Sequence, residues 1–120
     1  MHLDPNNTFE IDKGFTFDPK CSFAEEATGA VVNLTGKSIR FRLRCGGVSL
    51  TLLSGSPPTL NGSNVTITNA ALGEFTLLLT DEETALFNPD AGASYDFGLV
   101  DGTNIYKIGS GPVKVYTTNG

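Results

Sequence analysis

The sequence has no tryptophan, one histidine and two cysteines. Each scarcity closes a class of chemistry. His2 is the only imidazole and lies in a terminal segment of the kind domains leave loosely held, so no Ser–His–Asp or Cys–His arrangement is expected. Zinc wants several Cys or His ligands, and His2, Cys21 and Cys45 are a poor supply. Two cysteines do not make a disulfide scaffold. A reducing cytoplasm would keep Cys21 and Cys45 as thiols, but neighbouring strands would allow a bond, so their pairing stays open. Apolar runs stop at three residues, as in Leu77–Leu79, too short for a bilayer-spanning helix. The polar start, Met1–Asn7, has neither the cationic nor the apolar part of a secretion signal, and synthesis in a cytoplasm is expected.

Positive charge is also scarce. Eight Lys and Arg stand against thirteen Asp and Glu, for a net charge of −5. Such a body repels phosphate backbones and anionic membranes, so neither nucleic acid nor a membrane is expected as a partner. The length of 120 residues suits a single domain with a core of its own. We place that domain at 9–117, behind a flexible arm at 1–8.

What the chain does have is alternation with a period of two, the mark of half-buried strands. The clearest run is Ser38–Cys45, where Ile39, Phe41, Leu43 and Cys45 alternate with Arg40, Arg42 and Arg44. Val48, Leu50 and Leu52 continue the period, as do Val65 with Ile67, Phe75 with Leu77 and Leu79, and Tyr95 with Phe97 and Leu99. Phe9 and Ile11 share one face, and so should Phe15, Phe17, Cys21 and Phe23, with Pro19 marking an edge or a bulge. Asn104–Ile108 and Val113–Tyr116 read as two further strands, separated by Gly109–Pro112. Gly46-Gly47 and Asp101-Gly102 read as tight hairpins. Ser54–Asn64, with Pro57-Pro58 and Asn61-Gly62, reads as an exposed loop. Thr80-Asp81-Glu82-Glu83 is a capping box ahead of one or two helical turns that Asn88-Pro89 ends. The expectation is an all-β fold: an immunoglobulin-like β-sandwich of about eight strands, with one short connecting helix near residues 81–88. A small barrel is the alternative.

Few residues invite a chemical reading. Asp81, Glu82, Glu83 and Asp90 could crowd together, but helix capping accounts for the first three, and no loop has calcium-binding spacing. No metal and no cofactor is expected. A glycosidase built on two carboxylates and a carbohydrate-binding module using Tyr95, Tyr106 or Tyr116 are the competing functions. The sequons at Asn6, Asn33, Asn61 and Asn64 read as turn residues. The basic strip Lys37, Arg40, Arg42 and Arg44 holds half of the chain's cations. On a strand its arginines share one face at a spacing of about 7 Å. A solvated outer face balanced by acidic neighbours accounts for it; so does a docking surface for an acidic protein partner, because guanidinium forks bind carboxylates well.

In order along the chain stand Asp12-Lys13-Gly14-Phe15-Thr16-Phe17, Leu34-Thr35-Gly36, Ile39–Arg44, Gly73-Glu74-Phe75, Leu79–Ala85, Tyr95-Asp96-Phe97 and Gly109–Val115. In this order, over roughly residues 10–116, the chain resembles the small immunoglobulin-like structural proteins of tailed bacteriophages, a group that includes the N-terminal domain of baseplate upper proteins. One departure is Phe15, where such proteins often carry Asp after the first glycine. The resemblance implies a β-sandwich with a virion role, no catalytic residues, and other virion proteins as partners. The expected function is that of a non-enzymatic head decoration or cement protein on the capsid shell, made in the host cytoplasm and used in homo-oligomeric copies. A neck, tail or baseplate module is the alternative.

Overall fold

The computed structural model describes residues 2–3, 8–23, 32–90 and 92–117, and of His2 and Leu3 the backbone alone. Its strands are β1 (His2–Leu3), β2 (Phe9–Asp12), β3 (Lys20–Ser22), β4 (Ser38–Cys45), β5 (Val48–Leu53), β6 (Asn64–Asn69), β7 (Glu74–Leu78), β8 (Ala93–Asp101) and β9 (Asn104–Tyr116). One sheet has the order β1-β3-β7-β6, the other β2-β9-β8-β4-β5. The two lie face to face as the expected sandwich. Among the described residues only β1 is shorter than three residues, which leaves eight substantial strands there.

Alternation decides which side chains enter the core. On β4 the burial pattern follows the sequence, with Ile39, Phe41, Leu43 and Cys45 fully enclosed. Opposite them, β7 contributes Phe75 and Leu77. Aromatic rings fill the space between. Phe9 stacks on Tyr95 with ring centroids 3.9 Å apart, and Phe97 packs against Phe41 at 5.0 Å and Phe75 at 5.2 Å. Phe97 therefore joins the two sheets. Burying one such ring stabilises the fold by about 1.5–3 kcal/mol relative to leaving it in water.

Three local expectations need correction. Phe15 is 57% exposed and does not share the inward face of Phe17, Cys21 and Phe23. It belongs to a turn after β2, closed by the Phe15 amide donating to the Asp12 carbonyl, and alternation does not carry across a turn. Gly109–Pro112 does not separate two strands, because β9 runs unbroken through it. A bulge near Gly98 and Gly109 absorbs the irregularity. Pro112 sits just before β2 joins β9 at Val113, so its missing N–H falls where β9 is still an edge. The second hairpin turns at Gly102-Thr103, one residue later than expected, because Asp101 pairs with Asn104. The first turns at Gly46-Gly47, as expected. Around Pro19 the chain leaves the Phe17–Leu79 bridge and re-enters the sheet at Lys20. The expected N-terminal arm falls largely outside the described residues; within it, the backbone of β1 runs parallel to Lys20–Cys21.

Gly73 is a glycine that the fold requires. It closes a 3-10 turn (Ala70–Leu72) with φ of 67°, where a side chain is strained. A Cβ there would meet the Val32 carbonyl oxygen at 2.6 Å and that of Phe23 at 2.8 Å. Gly73→Ala is therefore expected to destabilise the protein by more than about 2 kcal/mol in urea unfolding. Gly47→Ala, which enters open space, should change stability by less than about 0.5 kcal/mol. Equal effects from the two would contradict this close approach.

Candidate functional site

Because Ile39, Phe41, Leu43 and Cys45 point inward, Arg40, Arg42 and Arg44 emerge on the outer face of the five-stranded sheet. They stand between β8 and β5, not on an edge. Their surroundings differ. Arg42 faces Asp96 across the β4–β8 ladder and binds it with two bonds, Nε to Oδ1 at 3.2 Å and Nη2 to Oδ2 at 3.1 Å. Both partners are partly solvated, so the pair is worth less than about 1 kcal/mol and serves mainly to orient the guanidinium. Arg40 lies over Gly98, where a Cβ would approach its Nη2 at 3.5 Å, and its Nε is buried without a hydrogen bond among the described residues. The guanidinium thus packs beside the Gly98 backbone, where the tighter neighbour of an added Cβ would be Ile105 Cγ2 at 3.0 Å. Arg44 is exposed and has no ion-pair partner among the described residues.

Arg42 and Arg44 line one shallow groove of ≈ 230 Å³ with Ser94, Tyr95 and Asp96. Lys37, the fourth member of the expected strip, does not join them. Its amide closes the Thr35-Gly36 turn on the Leu34 carbonyl, and its side chain borders a depression with Ser54, Thr66 and Ile67. The structure thus brings together the two arginines nearest the Gly46-Gly47 hairpin and leaves Lys37 at the far end of β4.

A second constellation surrounds the short helix α1 (Asp81–Thr84). Thr80 caps it as the sequence indicates, its Oγ1 accepting from the Glu83 amide at 3.3 Å. Glu83 does not complete a reciprocal box. Its carboxylate accepts instead from the Thr59 hydroxyl at 2.9 Å and the Asn61 side-chain amide at 3.2 Å, while the Thr80 amide donates to Ser63 Oγ at 3.2 Å. Thr80 Oγ1 donates to the Asn61 carbonyl at 2.7 Å. On the other side of α1, the buried Thr84 Oγ1 donates to the Phe15 carbonyl at 2.9 Å and accepts from the Gly14 amide at 3.1 Å. The helix thereby ties the 59–63 loop and the 13–15 turn together. Glu83 is a buried carboxylate with fixed donors, which accounts for it structurally. The loop expected to be simply exposed instead contains the buried Ser54 and Ser63.

The remaining candidates stay apart. Tyr95 is buried against Phe9, and Tyr106 and Tyr116 lie ten positions apart on β9, so the tyrosines make no common platform. Cys21 and Cys45 are both free thiols, one in each sheet. Cys45 contacts the Asn88 carbonyl at 3.4 Å. Burial raises the Cys21 thiol from 9.0 to about 12. Among the described residues no three His, Cys, Asp or Glu side chains gather as metal ligands, and no helix is long and apolar enough to cross a membrane.

In its fold the chain is similar to a solved structure, the N-terminal domain of phage TP901-1 ORF48. The TM-score is 0.54 at 15% identity, over 94% of this chain and 90% of that one. No protein-family model and no curated protein matches the sequence.

Two outcomes test the local chemistry. Glu83→Ala strips acceptors from Thr59 and Asn61 and should cost about 1–3 kcal/mol in urea unfolding, with faster proteolysis near Leu60; an unchanged midpoint would remove the clamp. Native Cys21 keeps its proton where the unfolded chain releases it. Stability is therefore unaffected below pH 9.0 and falls as pH rises toward about 12. Unfolding measured across that window should show a loss that Cys21→Ala lacks, and identical slopes would contradict it.

Proposed function

We propose that this protein is a non-enzymatic structural component of a tailed-bacteriophage particle that docks on other virion proteins, with its seat on the head shell as a decoration protein. The observation that carries the virion reading is the fold shared with the N-terminal domain of a phage protein over nearly its whole length. The order of segments in the sequence, which resembles small phage structural proteins, supports it independently. The β4 face supplies the means. Arg42 is oriented by Asp96, Arg44 is left free for a carboxylate, and the groove they line, ≈ 230 Å³, is smaller than the roughly 300–1,000 Å³ of small-molecule sites. A shell protein of this kind works by adding contact area between its neighbours. The competing carbohydrate reading required clustered tyrosines, and these are separated.

The test is to incubate the purified protein with phage heads and tails separated on a gradient. Co-sedimentation with heads is the expected result. Arg42→Glu with Arg44→Glu should abolish it while circular dichroism stays unchanged. Arg40 is left out of this variant because its guanidinium is packed over Gly98. Binding to tails alone would overturn the head assignment, and binding to neither would overturn the virion reading.

A further inference from the structure

At the α1 end of the sandwich, three large apolar side chains stand in solvent. Leu60 is 107% exposed, Phe15 57% and Leu86 54%. All three are carried on tied backbone. Leu60 lies between the two residues that hold the Glu83 carboxylate. Phe15 is held through its carbonyl by Thr84, and the Leu86 amide donates to the Glu83 carbonyl. A loop whose backbone is already fixed has less freedom to lose on docking. Leu60 and Phe15 flank α1 on its two sides and Leu86 follows it, so exposed apolar groups bracket the helix, and such groups beside charge suit a docking surface. Between them, Asp81 and Glu82 are exposed on α1, and neither carboxylate has an ion-pair partner among the described residues.

A complementary surface exists on the same molecule. The outer face of β4 presents Arg42 and the unpaired Arg44, with Thr51 and Leu53 of β5 beside the strip. Arginine stems are apolar and their heads are cationic, so this face matches apolar side chains set beside carboxylates. We infer that a second copy of this chain docks head to tail, with the α1 end of one copy on the arginine face of the next. Asp81 and Glu82 then meet Arg44, while Phe15, Leu60 and Leu86 cover the arginine stems and Leu53. Copies carrying −5 each would repel if their charge were spread evenly. Separating a cationic face from an acidic end makes this one orientation attractive. Because the two patches differ, the contact is heterologous and propagates into a ring or a filament instead of closing as a two-fold dimer. The inference rests on β4 being a docking surface and gives that face to the neighbouring copy, so that heads bind the assembled array and lose it when the arginines are replaced.

Sedimentation equilibrium of the purified full chain tests it. Concentration-dependent assembly is expected at low ionic strength, weakening as salt is added. Arg44→Glu and Glu82→Arg should each weaken assembly about tenfold or more. Carried together in one chain, they should restore most of it, because the charges are then exchanged across the same contact. Leu60→Asp should weaken assembly without changing the circular dichroism spectrum. A chain that stays monomeric at every concentration, or a double variant no better than the singles, overturns the inference. Particle binding by such a monomer would leave the proposed function standing and remove only the second copy. Assembly of a chain that binds no phage fraction would do the reverse.

Discussion

The register of β4 is the constraint from which the other features follow. Its apolar and cationic side chains alternate without a break, so only one of its two faces can enter the core. A slip by one residue would bring three guanidinium groups into an apolar interior and expose Phe41 and Leu43. Unpaired charges in such a place cost several kcal/mol each. The strand is therefore held from both sides: by the rings of Phe41, Phe97 and Phe75 within, and by the solvation of arginine without. Its neighbours inherit this register. Asp96 on β8 faces Arg42 because Phe97 faces Phe41 in the next rung of the ladder. Core and candidate docking surface are opposite sides of the same strand.

At the α1 end, order comes from polar groups. A helix of four residues has almost no stability of its own, since nucleation costs more than so few hydrogen bonds return. Here side chains on both flanks hold it in place. Glu83 takes donors from the 59–61 segment, and Thr84 bridges to the turn after β2. The same bonds fix the backbone beneath Leu60 and Phe15. A surface built this way is shaped before any partner arrives, as the proposed docking role requires.

Much of the fold was legible because the core obeys one periodicity. Alternation identified the buried faces of β4, β5, β7 and β8, Gly46-Gly47 placed the first hairpin, and Asp101-Gly102 came within one residue of placing the second. The Thr80 cap was readable from residue type and spacing. The failures have specific causes. Phe15 looked buried because alternation was extended through a turn that glycine and Lys13 had already opened. Gly109–Pro112 looked like a break because the residues are poor strand formers; β9 passes through them where a bulge and a free edge tolerate both. Glu83 was expected to cap its own helix. That it turns to Thr59 and Asn61 depends on a loop 22 to 24 residues away coming alongside, which local spacing does not encode. The arginine strip was visible as a pattern, but the different settings of its members depend on Gly98 and Asp96 across the ladder, and Lys37 leaves the group because it precedes the strand.

The proposed role places the molecule's action on the outer face of β4, set by the register of its core. A cryo-electron microscopy map of an assembled phage particle would show that face directly. Density is expected for each copy with Arg42 and Arg44 covered by a neighbouring protein surface bearing carboxylates. Copies seated through another face, with those arginines open to solvent, would contradict it.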